Sequence, residues 1–292
     1  MKSSFACSSA NNGGRRSMQG STVLITGGAK GLGRSFSEAL GREGARVFIT
    51  GRDTMALDDT VKALTADGIA IEAIRADVVD RGAMQAAVAR IVDVSGRLDV
   101  LVNNAVDPGP VGPTADVDFD AWWYTQRVNV AGPLVAAQAA LTFMNRVGRG
   151  RIINLVSPAG VHRWPYATAY SVSKAALLKL TENLAVELGS TGITVFSYNP
   201  GFVDAGLTRT GIELAESSDN PWLRRIGRWA VKVRDDGDFT PLDVAVGTLV
   251  RLARGDADAW SGRVINADDD LVTVVSGGER VPGSPANGRE FR

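Results

Sequence analysis

The chain holds a single cysteine, Cys7, and a single histidine, His162, in 292 residues. That scarcity excludes a disulfide framework and a Cys/His zinc centre, so no resident metal is expected. No apolar run approaches the roughly 18 residues of a membrane-spanning helix. The N-terminus carries Lys2 but no apolar h-region ahead of the first strand, and Arg15-Arg16 runs into Ser-Met-Gln-Gly, so a cytoplasmic protein is expected. Surplus charge is lacking too, since 32 Lys and Arg balance 32 Asp and Glu. A neutral chain has no global attraction to nucleic acid or to an anionic membrane, which leaves small-molecule work. Apolar side chains are plentiful, at 45% of residues, and supply a sizeable core.

Residues 1–20, rich in Ser, Asn and Gly, read as a disordered extension. Order is expected from Thr22–Thr26, a β-branched run that passes into Gly27-Gly28-Ala29-Lys30-Gly31-Leu32-Gly33 and then a helical pattern through Leu40. Glycines at 27, 31 and 33 let the backbone turn tightly, approach a pyrophosphate and pack helix on strand, and the helix N-terminus offers unpaired N–H groups to the anion. Further strands are expected at 46–50, 69–75, 98–102, 151–156, 193–198 and 263–266. Helical stretches near 53–66, 81–94, 169–188 and 241–254 alternate with them. Such alternation predicts right-handed βαβ units, hence a doubly wound parallel α/β sheet of Rossmann type. About seven strands, with helices on both faces, would form one domain over 21–274, and the 275–292 tail has no core-forming pattern. Ligands of such sheets bind beyond the carboxyl ends of strands, where Gly27, Arg52, Asp77 and Asn103 stand.

Two stretches depart from that rhythm. A long helical segment over 119–146 should bend at Gly132-Pro133, where an N–H is lost. Asn129, one turn earlier, either fills the kink or reaches the active site. From Val203 to Phe239 the pattern breaks, which suggests a lid over 203–240 with one short amphipathic helix. Trp222, Leu223, Ile226, Trp229, Ala230 and Val233 would form its apolar side. Arg224, Arg225, Arg228 and Lys232 take the other, as a solvated face or as a contact for an acidic substrate or an acidic carrier protein.

Tyr170 and Lys174 are four apart, so on a helix they share one face. A phenol titrates near 10, and a neighbouring ammonium favours the phenolate, which would make an acid/base usable near neutrality. An ordinary helix start with a surface Tyr and a snorkelling Lys would look the same locally.

Thr26-Gly27-x-x-x-Gly31-x-Gly33, Asp77, Asn103-Asn104-Ala105, Asn129, Ser157, Tyr170-x-x-x-Lys174 and Asn199-Pro200-Gly201 together resemble the short-chain dehydrogenase/reductase family. The likeness runs from about residue 20 to 270, and the steps of 28 from Asn129 to Ser157 and 13 from Ser157 to Tyr170 agree with the family pattern. It implies a nicotinamide dinucleotide held by Gly27, Lys30, Gly31, Leu32, Gly33, Asp77, Val78, Asn103, Ala105, Pro200, Gly201 and Val203, with Tyr170 and Lys174 at the nicotinamide end. By the same resemblance Tyr170 exchanges a proton with the substrate oxygen and Ser157 hydrogen-bonds that oxygen. Lys174 lowers the tyrosine pKa and holds the ribose, while Asn129 anchors a water that links Lys174 to solvent. The chain departs from the pattern at Val106, Ala205 and Ala267-Asp268-Asp269-Asp270. Paired helices in this family imply a homodimer or homotetramer.

At the end of the second strand, where an NAD-binding sheet usually carries an acid, stand Gly51 and Arg52. A guanidinium pairs with a 2′-phosphate, and Lys30 can approach from the other side, so NADP(H) is expected over NAD(H). His162, Trp164 and Tyr166 lie between Ser157 and Tyr170 and, with Trp222 and Trp229, are expected to face a bulky apolar substrate. The leading expectation is an NADPH-dependent carbonyl reductase, reversible as an alcohol dehydrogenase. A non-redox proton-transfer enzyme and an idle dinucleotide sensor are the alternatives.

Overall fold

The computed structural model describes residues 17–271. Seven strands form one parallel sheet: β1 (Thr22–Thr26), β2 (Arg46–Gly51), β3 (Ile71–Arg75), β4 (Val100–Asn103), β5 (Gly150–Leu155), β6 (Ile193–Asn199) and β7 (Val264–Asn266). Their order is β3-β2-β1-β4-β5-β6-β7. The helices are α1 (Gly31–Arg42), α2 (Thr54–Ala66), α3 (Arg81–Ser95), α4 (Phe119–Gln126), α5 (Gly132–Val147), α6 (Thr168–Glu187), α7 (Leu207–Ser217), α8 (Pro221–Asp235) and α9 (Leu242–Arg254). The chain is a single Rossmann-like α/β domain, and its tail beyond 271 lies outside the described residues.

Both faces of the sheet are covered, which is why the strands read as continuous apolar runs. Val23 and Ile25 of β1 enter one core with Phe36, Leu249 and Tyr198, while Leu24 between them enters the other with Met84, Ala140 and Val195. The sheet winds outward in both directions from β1, between β2 and β4, so a crevice opens beyond their carboxyl ends.

Several expectations shift. Residues 17–20 belong to the fold: Met18 is buried at 2% exposure in the first core, and the amide of Ser21 donates to its carbonyl. Ile69 precedes β3 rather than starting it, because its amide closes the end of α2 on the Leu64 carbonyl, 3.0 Å away. The break in the 119–146 helix comes before Gly132-Pro133, as a π-helical turn over 127–131. Pro133 has no N–H for the carbonyl of Asn129, and the turn widens so that the Gly132 amide reaches the Arg127 carbonyl five residues back. The 203–240 stretch contains two helices, α7 and α8, not one. They lie flush because Gly227 has no side chain; a Cβ there would come within 2.3 Å of that of Ala215.

Candidate active site

One cavity of about 1230 Å³ occupies the crevice beyond the strand ends. Its floor is the glycine-rich turn. Gly27 and Gly31 hold φ of +64° and +53°, and a Cβ on Gly33 would lie 2.3 Å from the Gly27 carbonyl oxygen. Gly33 thus supports the turn from behind and does not line the cavity. Gly28, which its place in the motif does not single out, is equally confined, since its Cβ would meet Ile49 at 2.4 Å. The turn is clamped by its neighbour strand: Asn104 Nδ2 donates to the carbonyls of Thr26 and Gly27, at 2.9 and 3.0 Å. In return Thr26 Oγ1 accepts from the amides of Asn104 and Ala105, both at 3.1 Å.

Asn103, expected at the cofactor, turns the other way. It is 3% exposed and donates to Asn154 Oδ1 at 2.8 Å, because successive residues of β4 point to opposite faces. Val203 likewise packs into the core, and Phe202 and Ala205 face the cavity in its place. Gly27, Lys30, Gly31, Leu32, Arg52, Asp77, Val78, Ala105, Pro200 and Gly201 all line the cavity. Above them α1 begins at Gly31 with no acid in its first turn and no side-chain cap, so its first N–H groups point into the space.

The two cations meet internal partners. Lys30 Nζ lies 2.6 Å from Asp53 Oδ2 and holds that carboxyl below the usual range. Arg52 donates to the Tyr124 hydroxyl and lies 4.0 Å from Asp77 Oδ2. Tyr124 is therefore a neighbour of this end of the cavity, which its place in an aromatic run did not reveal.

At the other end, β5 delivers Ser157 and α6 delivers Tyr170 and Lys174. A short 3-10 turn, Pro158–Gly160, starts at Ser157, whose Oγ accepts from the Ala159 amide at 3.2 Å. This turn sits directly on α6. A Cβ on Gly160 would lie 2.7 Å from the Lys174 carbonyl carbon, so only glycine lets Ser157 approach Tyr170 this closely. Tyr170 and Ser157 are hydrogen-bonded through their side chains. Tyr170 lines the cavity, yet burial pushes its phenol pKa up, and the Ser157 bond only partly offsets that. This reverses the expected sign. Lys174, 4% exposed, donates to the Leu155 carbonyl at 2.7 Å, and its ammonium stands 5.6 Å from the Tyr170 ring centroid. Burial lowers its pKa to about 8.

Asn129 does not line the cavity. Its Oδ1 accepts from the Asp107 amide and its Nδ2 donates to the Asp107 carbonyl, each at 2.8 Å, with a further 2.9 Å bond to Ser173 Oγ. It splints the loop after β4 to α6, beside Lys174.

The side of the cavity faced by α8 is aromatic and aliphatic. Trp229 meets Trp164 edge-on at 4.8 Å and Phe202 at 5.1 Å, and His162, Leu223 and Ile226 continue the wall. Tyr166 and Trp222, expected there, lie outside it and stack on each other. The cations Arg224, Arg228 and Lys232 border a separate outer groove between α7 and α8, shared with Glu216 and Asp235, and do not reach this cavity. Among the described residues no cluster of His, Cys, Asp or Glu could hold a metal, and no helix is long and apolar enough to cross a membrane.

A sequence profile of short chain dehydrogenases matches residues 21–213. The chain belongs to the short-chain dehydrogenase family. It is 38% identical over 260 residues to the sorbitol dehydrogenase of Cereibacter sphaeroides, covering 86% of this chain and 97% of that one. The crystal structure of a tryptophan variant of actinorhodin polyketide ketoreductase with NADPH superposes with a TM-score of 0.76 at 29% identity, over 84% of this chain and 95% of the other. An NAD+-bound xylitol dehydrogenase shares the fold at 24% identity and a TM-score of 0.75, over 85% and 98%. As a member of this family, the chain is an oxidoreductase of alcohol and carbonyl groups that uses a nicotinamide dinucleotide. The glycine cradle and the uncapped first turn of α1 fit such a group at its pyrophosphate, and the bound dinucleotide would supply the hydride.

Proposed function

We propose that the protein is an NADPH-dependent carbonyl reductase, reversible as an alcohol dehydrogenase, acting on a bulky and largely apolar ketone. The observation that carries the reading is the continuity of one cavity: Lys30 and Arg52 at one end, Ser157, Tyr170 and Lys174 further along, and the Trp229 wall beyond them. In reduction Tyr170 gives its proton to the carbonyl oxygen, Ser157 donates to that oxygen as charge grows on it, and Lys174 holds the ribose beside the ring. Asn129 acts one step back by fixing the loop and α6 against each other. The lid excludes water from the reacting carbon. The test is a screen of ketones with NADPH and NADH, following loss of the reduced nicotinamide against product formed. Product without cofactor turnover would show a proton-transfer enzyme, and binding without turnover a sensor.

Substrate size is decided at the lid. The wall offers hydrophobic area and no cation, which suits a neutral ring system rather than a polyol or an acyl anion. Trp229→Ala is expected to lower kcat/KM by about 10- to 100-fold for a bulky polycyclic ketone and by less than about threefold for a small linear one. Equal losses for both would show that Trp229 does not touch the substrate.

We further propose a cytoplasmic homodimer or homotetramer. Phe119 and Trp123 of α4 stack on each other at 72% and 53% exposure, and Val172 and Val186 stand exposed on α6. Apolar side chains in such numbers on two adjoining helices suit contact with a second copy. Sedimentation at micromolar concentration is expected to give a dimer or larger, and a monomer would refute it.

A further inference from the structure

Outside the cavity lies a contact that the proton transfer does not use. Tyr166 is the only non-glycine residue with a positive φ among those described, at +69°. A bulky side chain rarely occupies that region, and such a conformation persists only where its surroundings enforce it. Here the enforcement comes from the lid. The Tyr166 ring stacks on Trp222, with centroids 3.9 Å apart and planes 21° from parallel, and the Arg225 guanidinium lies 5.6 Å from the same ring. Trp222 and Arg225 are one turn apart on α8, so a single helix grips the ring with two side chains.

The backbone around the ring is tied as well. The Tyr166 carbonyl accepts from the Gly112 amide at 2.8 Å. Asn220, the N-cap of α8, accepts from the amides of Trp222 and Leu223 and donates through Nδ2 to the Val111 carbonyl at 2.8 Å. Three segments therefore meet at one point: the loop after β4, the loop after Ser157, and the first turn of the lid helix. Tyr166 stands two residues before α6 begins and four before Tyr170. Trp222 stands seven before Trp229, two turns along α8 and nearly on the same face. The clasp thus joins the segment that carries the proton donor to the helix that carries the substrate wall.

We propose that Tyr166 is a positioning residue: gripped by Trp222 and Arg225, it fixes how far the Trp229 wall closes over the reacting carbonyl, and so sets the enzyme's preference for bulky ketones. This rests on the reductase reading. It acts through α8 and touches neither substrate nor cofactor, so its loss should appear in KM for the ketone and not in cofactor affinity.

Three variants separate the contributions. Tyr166→Phe keeps the stack, Tyr166→Gly relieves the backbone but deletes the ring, and Trp222→Leu opens the clasp from the lid side without touching the strained residue. Tyr166→Phe is expected within about twofold of wild type throughout. The other two should raise KM for a bulky ketone about 3- to 10-fold, with kcat within about twofold and NADPH affinity unchanged. Amide hydrogen exchange in the first turn of α8 should quicken by a similar factor. Unchanged exchange in Tyr166→Gly and Trp222→Leu, or damage in Tyr166→Phe equal to that in Tyr166→Gly, would overturn the clasp. Faster exchange with unaltered KM would overturn the positioning role. A wild-type protein that turned over no ketone would remove the reductase reading and the positioning role with it, and the exchange measurement distinguishes that failure from failure of the clasp.

Discussion

Tyr170→Phe is expected to lower kcat for ketone reduction by about 10²- to 10⁴-fold, the range a positioned proton donor supplies. Cofactor affinity and thermal stability should hardly move. The substitution deletes one hydroxyl, and its partner Ser157 lines the cavity, where solvent can replace the lost bond. The pH dependence carries a sign. Burial raises the Tyr170 pKa, so the group stays protonated through neutrality and above. Reduction, which consumes that proton, should therefore be flat from acid pH to about 8, where Lys174 begins to lose its charge. Oxidation needs the phenolate and should climb with pH over the same interval. The Lys174 pKa of about 8 sits below its unfolded value of 10.5, so the unfolded chain binds more protons between them. Stability should accordingly rise with pH through that window, as the cost of burying the ammonium is relieved. Kinetics of wild type and variant in both directions, and urea titrations from pH 7 to 10, would check these signs. A Tyr170→Phe enzyme within tenfold of wild type would place the proton donor elsewhere.

The expected sign for Tyr170 was opposite, and the reason shows what one dimension withholds. Spacing of four on a helix does bring Lys174 beside Tyr170. It cannot say that the ammonium is also claimed by the Leu155 carbonyl, a contact 19 residues away in sequence, or that burial dominates the shift of the phenol. Elements whose period is local were legible: all seven strands, the glycine turn and α6. Asn103 was not, because every residue of β4 is buried and an apolar run carries no sign of which face a polar residue takes. Helix α8 could be read from its apolar period, whereas α7 is shorter, 11 residues, and buries only Ile212 and Ala215. Tyr166 looked like a substrate aromatic because it lies between Ser157 and Tyr170, and Trp222 because it shares the apolar side of the 203–240 helix. Their pairing with each other depends on a backbone turn at +69° that no residue type announces. Gly160 carried a readable hint, a glycine three after Ser157, but its meaning lies in the α6 backbone against it.

Replacing Lys30 and Arg52 together by Ala is expected to weaken NADPH binding about 10²- to 10⁴-fold, from two charge-assisted contacts of about 1.5–3 kcal/mol each. Affinity for NADH should stay within about threefold, since NADH has no 2′-phosphate to lose. Both cations start out paired, Lys30 with Asp53 and Arg52 with Asp77 and Tyr124, so the phosphate must compete for them. The competition favours the ligand. These pairs are exposed and therefore weak, while a phosphate brings nearly two charges and more acceptors to the same donors. Asp53 is then an internal rival for the selecting lysine, and removing its charge should help. Asp53→Asn keeps an N-cap oxygen for the Ala56 amide at the start of α2, so the helix is spared. It is expected to tighten NADPH binding severalfold while NADH is unaffected. The preference should also shrink as salt screens the exposed cations. Titrating both cofactors into wild type, Asp53→Asn and the double variant at two ionic strengths would read all of this. If the double variant lost NADH and NADPH affinity equally, the cations would be holding the pyrophosphate or the fold, and selectivity would have to come from elsewhere in the cavity.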